Sequence, residues 1–166
     1  MHIDFDTIPL FRSLSRIDRA RLIPNFSVIA YEKDQVIVEQ NEHGDSLFII
    51  ISGSARVVRH QPDCDDMVIA LLGAGECFGE VAVLTGEVRT ADVLAEETGT
   101  TVLKLSRDRF SQLMRQHNDL ALRMAQLLAE RVSRTTSHLG NGHQHEPQQL
   151  LQVLNVDGSG EKLPSS

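Results

Sequence analysis

Apolar residues fall at helical intervals near both ends of the chain and in short dense runs between them. Ile8, Leu10, Phe11, Leu14, Ile17 and Leu22 repeat with helical spacing, so the stretch from Ile8 to Ile23 predicts one or two short helices. Ser15-x-x-Asp18 resembles a capping box that would start a new helix. Pro24 and Asn25 break the pattern, and β-rich runs follow at Phe26 to Tyr31, Val36 to Val38, Leu47 to Ile51, Ala55 to Arg59 and Met67 to Leu72. Between them lie Glu32-Lys33-Asp34, Asn41 to Ser46, Ser52-Gly53 and His60 to Asp66, which are rich in residues that accept turn geometry. A spacing of about 8 to 12 residues between such runs predicts a sandwich or jelly roll.

Two further strands are expected at Thr90 to Ala95 and Thr101 to Leu105, around a turn at Glu96 to Thr100. Ser106 then suits an N-cap, with Asp108 in the first turn, and from Phe110 the period becomes helical again. Leu113, Met114, Leu120, Met124, Leu127, Leu128 and Val132 form the apolar stripe, with a break expected at His117-Asn118-Asp119. The reading is a mainly β domain with flanking helices over residues 1–139, followed by a polar tail or linker at 140–166. The late apolar cluster Leu150 to Val156 is too short to form a domain.

Composition narrows the function. The chain of 166 residues allows one core, and with 41% hydrophobic but only 4% aromatic residues that core is mainly aliphatic. A formal charge of −7 repels polyanions, which argues against nucleic acid or an anionic membrane as partner. Cys64 and Cys77 fit neither a disulfide framework nor a metal pair, the N-terminus carries acids where a secretory peptide carries bases, and no apolar run reaches membrane-spanning length. A cytoplasmic protein without direct membrane insertion is expected.

The chemistry concentrates between Gly73 and Ala91. Gly73, Gly75 and Gly79 permit backbone conformations closed to other residues, and Val81 to Leu84 can form about one helical turn that Gly86 would end. A helix start beside a glycine presents backbone N–H groups suited to a phosphate. Arg89, just beyond, offers a planar fork of donors matched to two phosphate oxygens. Glu80 would repel that phosphate, but an ionised carboxylate is a pure acceptor and suits a sugar hydroxyl. Together the two residues describe a sugar phosphate. The plainer alternative is that Glu80 and Arg89 pair with each other across a tight turn.

Phe78-Gly79-Glu80-Val81-Ala82-Val83-Leu84 followed by Arg89-Thr90-Ala91 resembles the phosphate-binding cassette of cyclic-nucleotide-binding domains. The likeness extends to Leu10-Phe11, Gly44-Asp45-Ser46, Ile51-Ser52-Gly53 and Gly73-x-Gly75, over residues 8 to 138. It implies an eight-stranded double-stranded β-helix, or jelly roll, with N-terminal helices and a C-terminal helical lid. It also implies that Gly79 and Ala82 give backbone N–H bonds, Glu80 the ribose contact, Arg89 the phosphate pair, and Thr90 and Ala91 further contacts, with Phe78 and Val81 completing the cassette. The implied ligand is cAMP or cGMP, cAMP slightly ahead, with no metal. The implied role is regulatory rather than enzymatic, with a moving C-terminal helix, a fused or separate effector, and homodimerisation through that helix. Thr90 bears on the purine, since its hydroxyl can donate to phosphate and accept from a guanine amino group.

Other signals are weaker. Gly73-x-Gly75 has Phe78 where a dinucleotide fingerprint needs its third glycine, and His143-x-His145 and His43 read as linker and turn residues. A catabolite-activator type of transcription factor would need a helix-turn-helix after the long helix, and residues 140–166 hold no second amphipathic helix or basic stripe. A cupin-like metal enzyme would need histidines on facing strands, where the expected strands have essentially none. A ligand-free β-roll scaffold remains the alternative to a sensor.

Overall fold

A computed structural model describes residues 5–139, with side chains to 133. The chain divides into two units, Met1–Leu127 and Leu128–Ser166. In the first unit, short 3-10 turns at Pro9–Phe11 and Ile23–Asn25 flank α1 (Arg16–Leu22). Ser15 starts α1 as its spacing predicts: the Asp18 N–H donates to its side chain at 3.2 Å, and its hydroxyl donates to the Asp18 carboxylate at 2.6 Å. Phe11 packs between Phe5 and Phe26, with ring centroids 5.6 and 5.7 Å away, which anchors the N-terminal segment.

Eight strands follow among the described residues: β1 (Ser27–Tyr31), β2 (Val36–Val38), β3 (Ser46–Ser52), β4 (Ala55–Arg59), β5 (Met67–Leu72), β6 (Cys77–Phe78), β7 (Asp92–Ala95) and β8 (Thr100–Ser106). They form two antiparallel four-stranded sheets in the orders β1-β8-β3-β6 and β2-β7-β4-β5. This is the β-roll expected from strand spacing. Phe48, Ile50, Phe78 and Val102 meet Ile37, Val38, Ala55, Leu72, Val93 and Ala95 in one apolar core. Each of these side chains larger than alanine contributes roughly 1.5–3 kcal/mol on full burial. Phe48 stands opposite Phe78 in the β3–β6 register and stacks on it with centroids 5.1 Å apart.

The other face of β3 carries Leu47 and Ile49, paired with Leu105 and Leu103 of β8 and fully buried. There α3 (Arg107–Gln116) lies against β3 and β8. A strand covered on both sides shows no alternation, which is why Leu-Phe-Ile-Ile-Ile reads as one apolar run. The third helix ends at the expected break, where His117 leaves helical geometry, and α4 (Asn118–Leu139) begins next. Leu120 and Met124 of α4 are buried, and Arg123 donates to the Pro9 carbonyl at 3.2 Å. Ser106 holds the N-cap position of α3 without a side-chain capping bond. Leu128–Leu139 is the described part of the second unit and is helical.

Two details depart from the expectation. The two-residue strand β6 falls inside the Gly-rich segment, bounded by Gly75 and Gly79 at φ +88 and +80, too short for a periodic signal. The strand expected from Thr90 begins at Asp92, because the backbone at Arg89 is committed elsewhere: its N–H donates to the Glu42 carbonyl at 2.8 Å and its C=O accepts from Asn41 at 2.9 Å. His143, His145 and the cluster Leu150 to Val156 lie outside the described residues.

Candidate functional site

The site grows from the turn after β6. Gly79 adopts the left-handed conformation (φ 80, ψ 3) and caps α2 (Glu80–Thr85), which Gly86 closes in the same conformation (φ 84, ψ 3). The Val83 N–H bonds to the Gly79 carbonyl at 3.3 Å, so the Val81 and Ala82 N–H groups come before the first helical bond, where intrahelical acceptors run out. Phe78, Glu80 and Ala82 are buried, Val81 is exposed, Ala91 is buried and Thr90 half-buried.

Arg89 reaches this turn from the far side of α2. It is 6% exposed, and its Nη1 donates to the Gly79 carbonyl at 2.8 Å while Nη2 donates to the Ser46 carbonyl at 2.7 Å. Its Cζ lies 5.7 Å from the centre of the Phe48 ring, within cation–π range. Both carbonyl partners are neutral. Burial pulls the pKa of Arg89 down from its ordinary value, and Arg107 adds to that, while Asp45, Glu80 and Glu42 oppose it. The guanidinium stays charged, but burial disfavours that charge and leaves it suited to an anion. Glu80 acts on it through charge, and the described bonds of Arg89 go to carbonyls, which is not the closed Glu80–Arg89 pair of the plainer alternative.

The structure therefore places Phe78, Gly79, Glu80, Val81, Ala82, Arg89, Thr90 and Ala91 on the end of β6, one turn, one short helix and the segment leading to β7. It also adds residues that side-chain chemistry does not reveal. Gly44 is one: a Cβ there would stand 2.2 Å from the Ala82 Cβ and 3.0 Å from Arg89. Ser46, buried, supplies a carbonyl to Arg89, and its hydroxyl donates to Asp45 at 2.8 Å. That bond, with Lys104 and Arg89 nearby, holds the Asp45 carboxyl below its usual 3.8. Gly44-Asp45-Ser46 was visible as part of the family likeness, but nothing in it announced a backbone acceptor.

A second polar node stands beside the cassette exit. His60, just after β4, has Nε2 at 2.8 Å from Asp92 and Nδ1 at 2.5 Å from Asp66. Carboxylates only accept, so an imidazole serving both must donate from both nitrogens and be protonated. The bonds to Asp92 and then Asp66 raise its pKa above 6.5. Since the folded value is the higher one, the clamp stabilises fully below the unfolded pKa and its contribution is lost as pH rises through the folded pKa. Thermal unfolding of the wild type and His60→Asn from about pH 5 to about pH 9 should show a wild-type lead at the acid end that shrinks with rising pH. A lead that is flat, or that grows with pH, would refute the clamp.

A two-sheet roll with a buried arginine beside a glycine-bounded helix places the chain in the class of β-roll ligand modules. The sequence model of the cyclic nucleotide-binding domain matches residues 28–117, and the chain belongs to that family. It is 32% identical over 108 residues to the cGMP-dependent protein kinase egl-4 of Caenorhabditis elegans, covering 64% of this chain and 14% of the kinase. The chain thus spans less than a sixth of the curated relatives it matches. Among solved structures, the catabolite activator protein of Thermus thermophilus is 31% identical with a TM-score of 0.71, over 80% of this chain and 62% of that one. A cyclic nucleotide-binding domain from Methylobacillus flagellatus KT is 25% identical with a TM-score of 0.76, over 86% of each chain. No helix among the described residues is long and apolar enough to cross a membrane.

Proposed function

We propose that this domain binds a 3′,5′-cyclic nucleotide and acts as a regulatory sensor. In this reading the cyclic phosphate sits on Arg89 and on the backbone N–H groups of Gly79 and Ala82, and the ribose 2′-hydroxyl donates to Glu80. Thr90 and Ala91 add contacts, while Phe78 and Val81 complete the cassette. The observation that carries it is the buried Arg89 guanidinium, held by two neutral carbonyls next to the start of α2. A phosphate would give the guanidinium a directly bonded anion beside these neutral carbonyls.

The purine is put as cAMP first. A second reading, cGMP, is favoured by Thr90, whose hydroxyl can accept from a guanine amino group, and by the cGMP dependence of the kinase relative. Residues 1–139 form the sensor and 140–166 lead to a fused or separate effector, with α4 carrying the signal by population shift and offering a homodimer contact.

Calorimetry and thermal unfolding with cAMP, cGMP and the open-chain 5′-monophosphates test the site. The expected result is saturable binding of at least one cyclic nucleotide, with a stabilisation of about 2.7 kcal/mol at a hundredfold excess over Kd. The 5′-monophosphates should bind far more weakly. Neither heat nor thermal shift with either cyclic nucleotide would leave the ligand-free scaffold as the reading.

A further inference from the structure

We propose that His60 and Asp92 are positioning residues for the nucleotide site: protonated His60 holds the backbone around Arg89 in its binding geometry, so a cyclic nucleotide binds more tightly to that form. The proposal rests on the cyclic-nucleotide reading above. Main-chain pairing between the stretches 36–42 and 89–94 runs through Val36 with Leu94 and Val38 with Val93. It resumes where the Asn41 N–H donates to the Arg89 carbonyl at 2.9 Å and the Arg89 N–H donates to the Glu42 carbonyl at 2.8 Å. In the gap, Glu39 and Gln40 stand opposite Thr90, Ala91 and Asp92, one residue more on the second chain than on the first. Thr90 and Ala91 thus lie in a bulge, outside the ladder on either side.

A side chain spans that gap. Asp92 Oδ1 accepts from the Gln40 N–H at 2.6 Å, while Oδ2 lies 2.8 Å from His60 Nε2. The Gln40 amide in turn closes on the His60 backbone: its Nε2 donates to the His60 carbonyl at 3.0 Å, and its Oε1 accepts from the His60 N–H at 2.9 Å. The residue after β4, the link that follows β2 and the start of β7 therefore meet at one carboxylate. Next to Gln40 is Asn41, whose left-handed backbone (φ 69) is uncommon for a residue with a side chain and whose N–H is the donor to Arg89. A displacement of Gln40 is thereby passed to the backbone of the arginine that would bind the phosphate.

Protonation decides how firmly the node holds. The charged groups that act on His60 are Asp92 from β7 and Asp66 just ahead of β5, while the link after β2 brings the uncharged Gln40. An imidazolium donates to both carboxylates, whereas a neutral ring has one N–H and must turn a lone pair toward the other carboxylate. The Asp92 side chain is only 13% exposed, so water replaces a lost partner poorly there. The bonds to Asp92 and Asp66 raise the pKa of His60. A site that needs the clamp therefore loses affinity as pH rises through that raised value, because the bound form holds the proton more firmly than the free form.

The test titrates the full 166-residue chain, as wild type, H60Q, H60R and H43N, with cAMP and cGMP by calorimetry from about pH 5.5 to about pH 8.5. The cyclic phosphate keeps its single charge throughout that range. Wild-type Kd should rise about threefold to fivefold from the acid to the alkaline end, the scale of an exposed ion pair, and equally for both purines. H60Q, whose amide can donate to Asp92 but does not titrate, should give a flat profile near the alkaline wild-type value. H60R, permanently charged and able to donate to both carboxylates, should be flat near the acid wild-type value. H43N removes the neighbouring imidazole and should keep the wild-type slope. A residue that merely stabilised the fold would move the melting temperature with pH and leave the Kd of the folded protein level. A flat wild-type profile with measurable binding overturns the proposal and leaves the site reading standing. An H60Q slope equal to that of wild type, or a slope lost in H43N, also overturns it. If H60R does not fold, H60Q against H43N decides on the same terms. A wild type that binds neither nucleotide at any pH defeats the site reading and this proposal together.

Discussion

Arg89→Ala is expected to weaken cyclic-nucleotide binding by about 30-fold to a few thousand-fold, the equivalent of roughly 2–5 kcal/mol for deleting one member of a desolvated charge pair. The size of the effect follows from burial: Arg89 is 6% exposed, so water cannot replace it opposite a phosphate. The substitution also strips the Gly79 and Ser46 carbonyls of their donors. Each acceptor left buried and unpaired costs about 1–3 kcal/mol, so affinity must be read beside thermal unfolding. Arg89→Lys separates the two losses. It keeps the charge but not the planar fork, and should fall between wild type and alanine in affinity. Calorimetric titration at a temperature where all three remain folded measures the series. If Arg89→Ala binds as tightly as wild type, the phosphate does not sit on this arginine.

Gly44→Ala is expected to damage both fold and site although it adds only one methyl group. Its Cβ would lie 2.2 Å from the Ala82 Cβ and 3.0 Å from the Cζ and Nε of Arg89. The nearest of these atoms is fixed by the backbone of α2, so relief requires moving the helix or the loop. Overpacking of this kind costs about 1–3 kcal/mol, occasionally more, which lowers the melting temperature by about 2–4 °C per kcal/mol for a domain near this size. Affinity should drop with it, because the displaced elements are those that hold Arg89. Gly73→Ala is the control, since a Cβ there meets nothing within 4 Å. Scanning calorimetry and nucleotide titration of both variants decide the matter: equal melting points and affinities for wild type and Gly44→Ala would show that the loop yields freely.

The roll was legible in the sequence because it is written in side chains. Strand spacing, the Ser15 cap, the break at His117 and a helical turn over Val81 to Leu84 ended by Gly86 were legible from residue type and period, and the helix itself runs one residue further at each end, Glu80–Thr85. β6 was not legible, because two residues between glycines produce no alternation. The Gly44 packing and the Ser46 carbonyl were equally hidden. They work through backbone oxygens and close approach, and any residue type supplies a carbonyl. The His60 node escaped for a related reason, since Asp66 and Asp92 meet it only when the ends of β4, β5 and β7 are brought together.

The left-handed glycines at the two ends of α2 turn this segment into a ruler. An L-residue continuing the helix past Gly86, or starting it before Gly79, would meet a backbone conformation that side chains rarely adopt, so the helix is held at six residues. Arg89, ten positions after the carbonyl it binds, is thereby delivered at a set distance. One inserted residue between Gly86 and Arg89 would break the pairing of Arg89 with Asn41 and Glu42 and turn its side chain to the opposite side. Substitutions at an exposed position of α2 such as Leu84 are thus better tolerated than any change in the length of the helix.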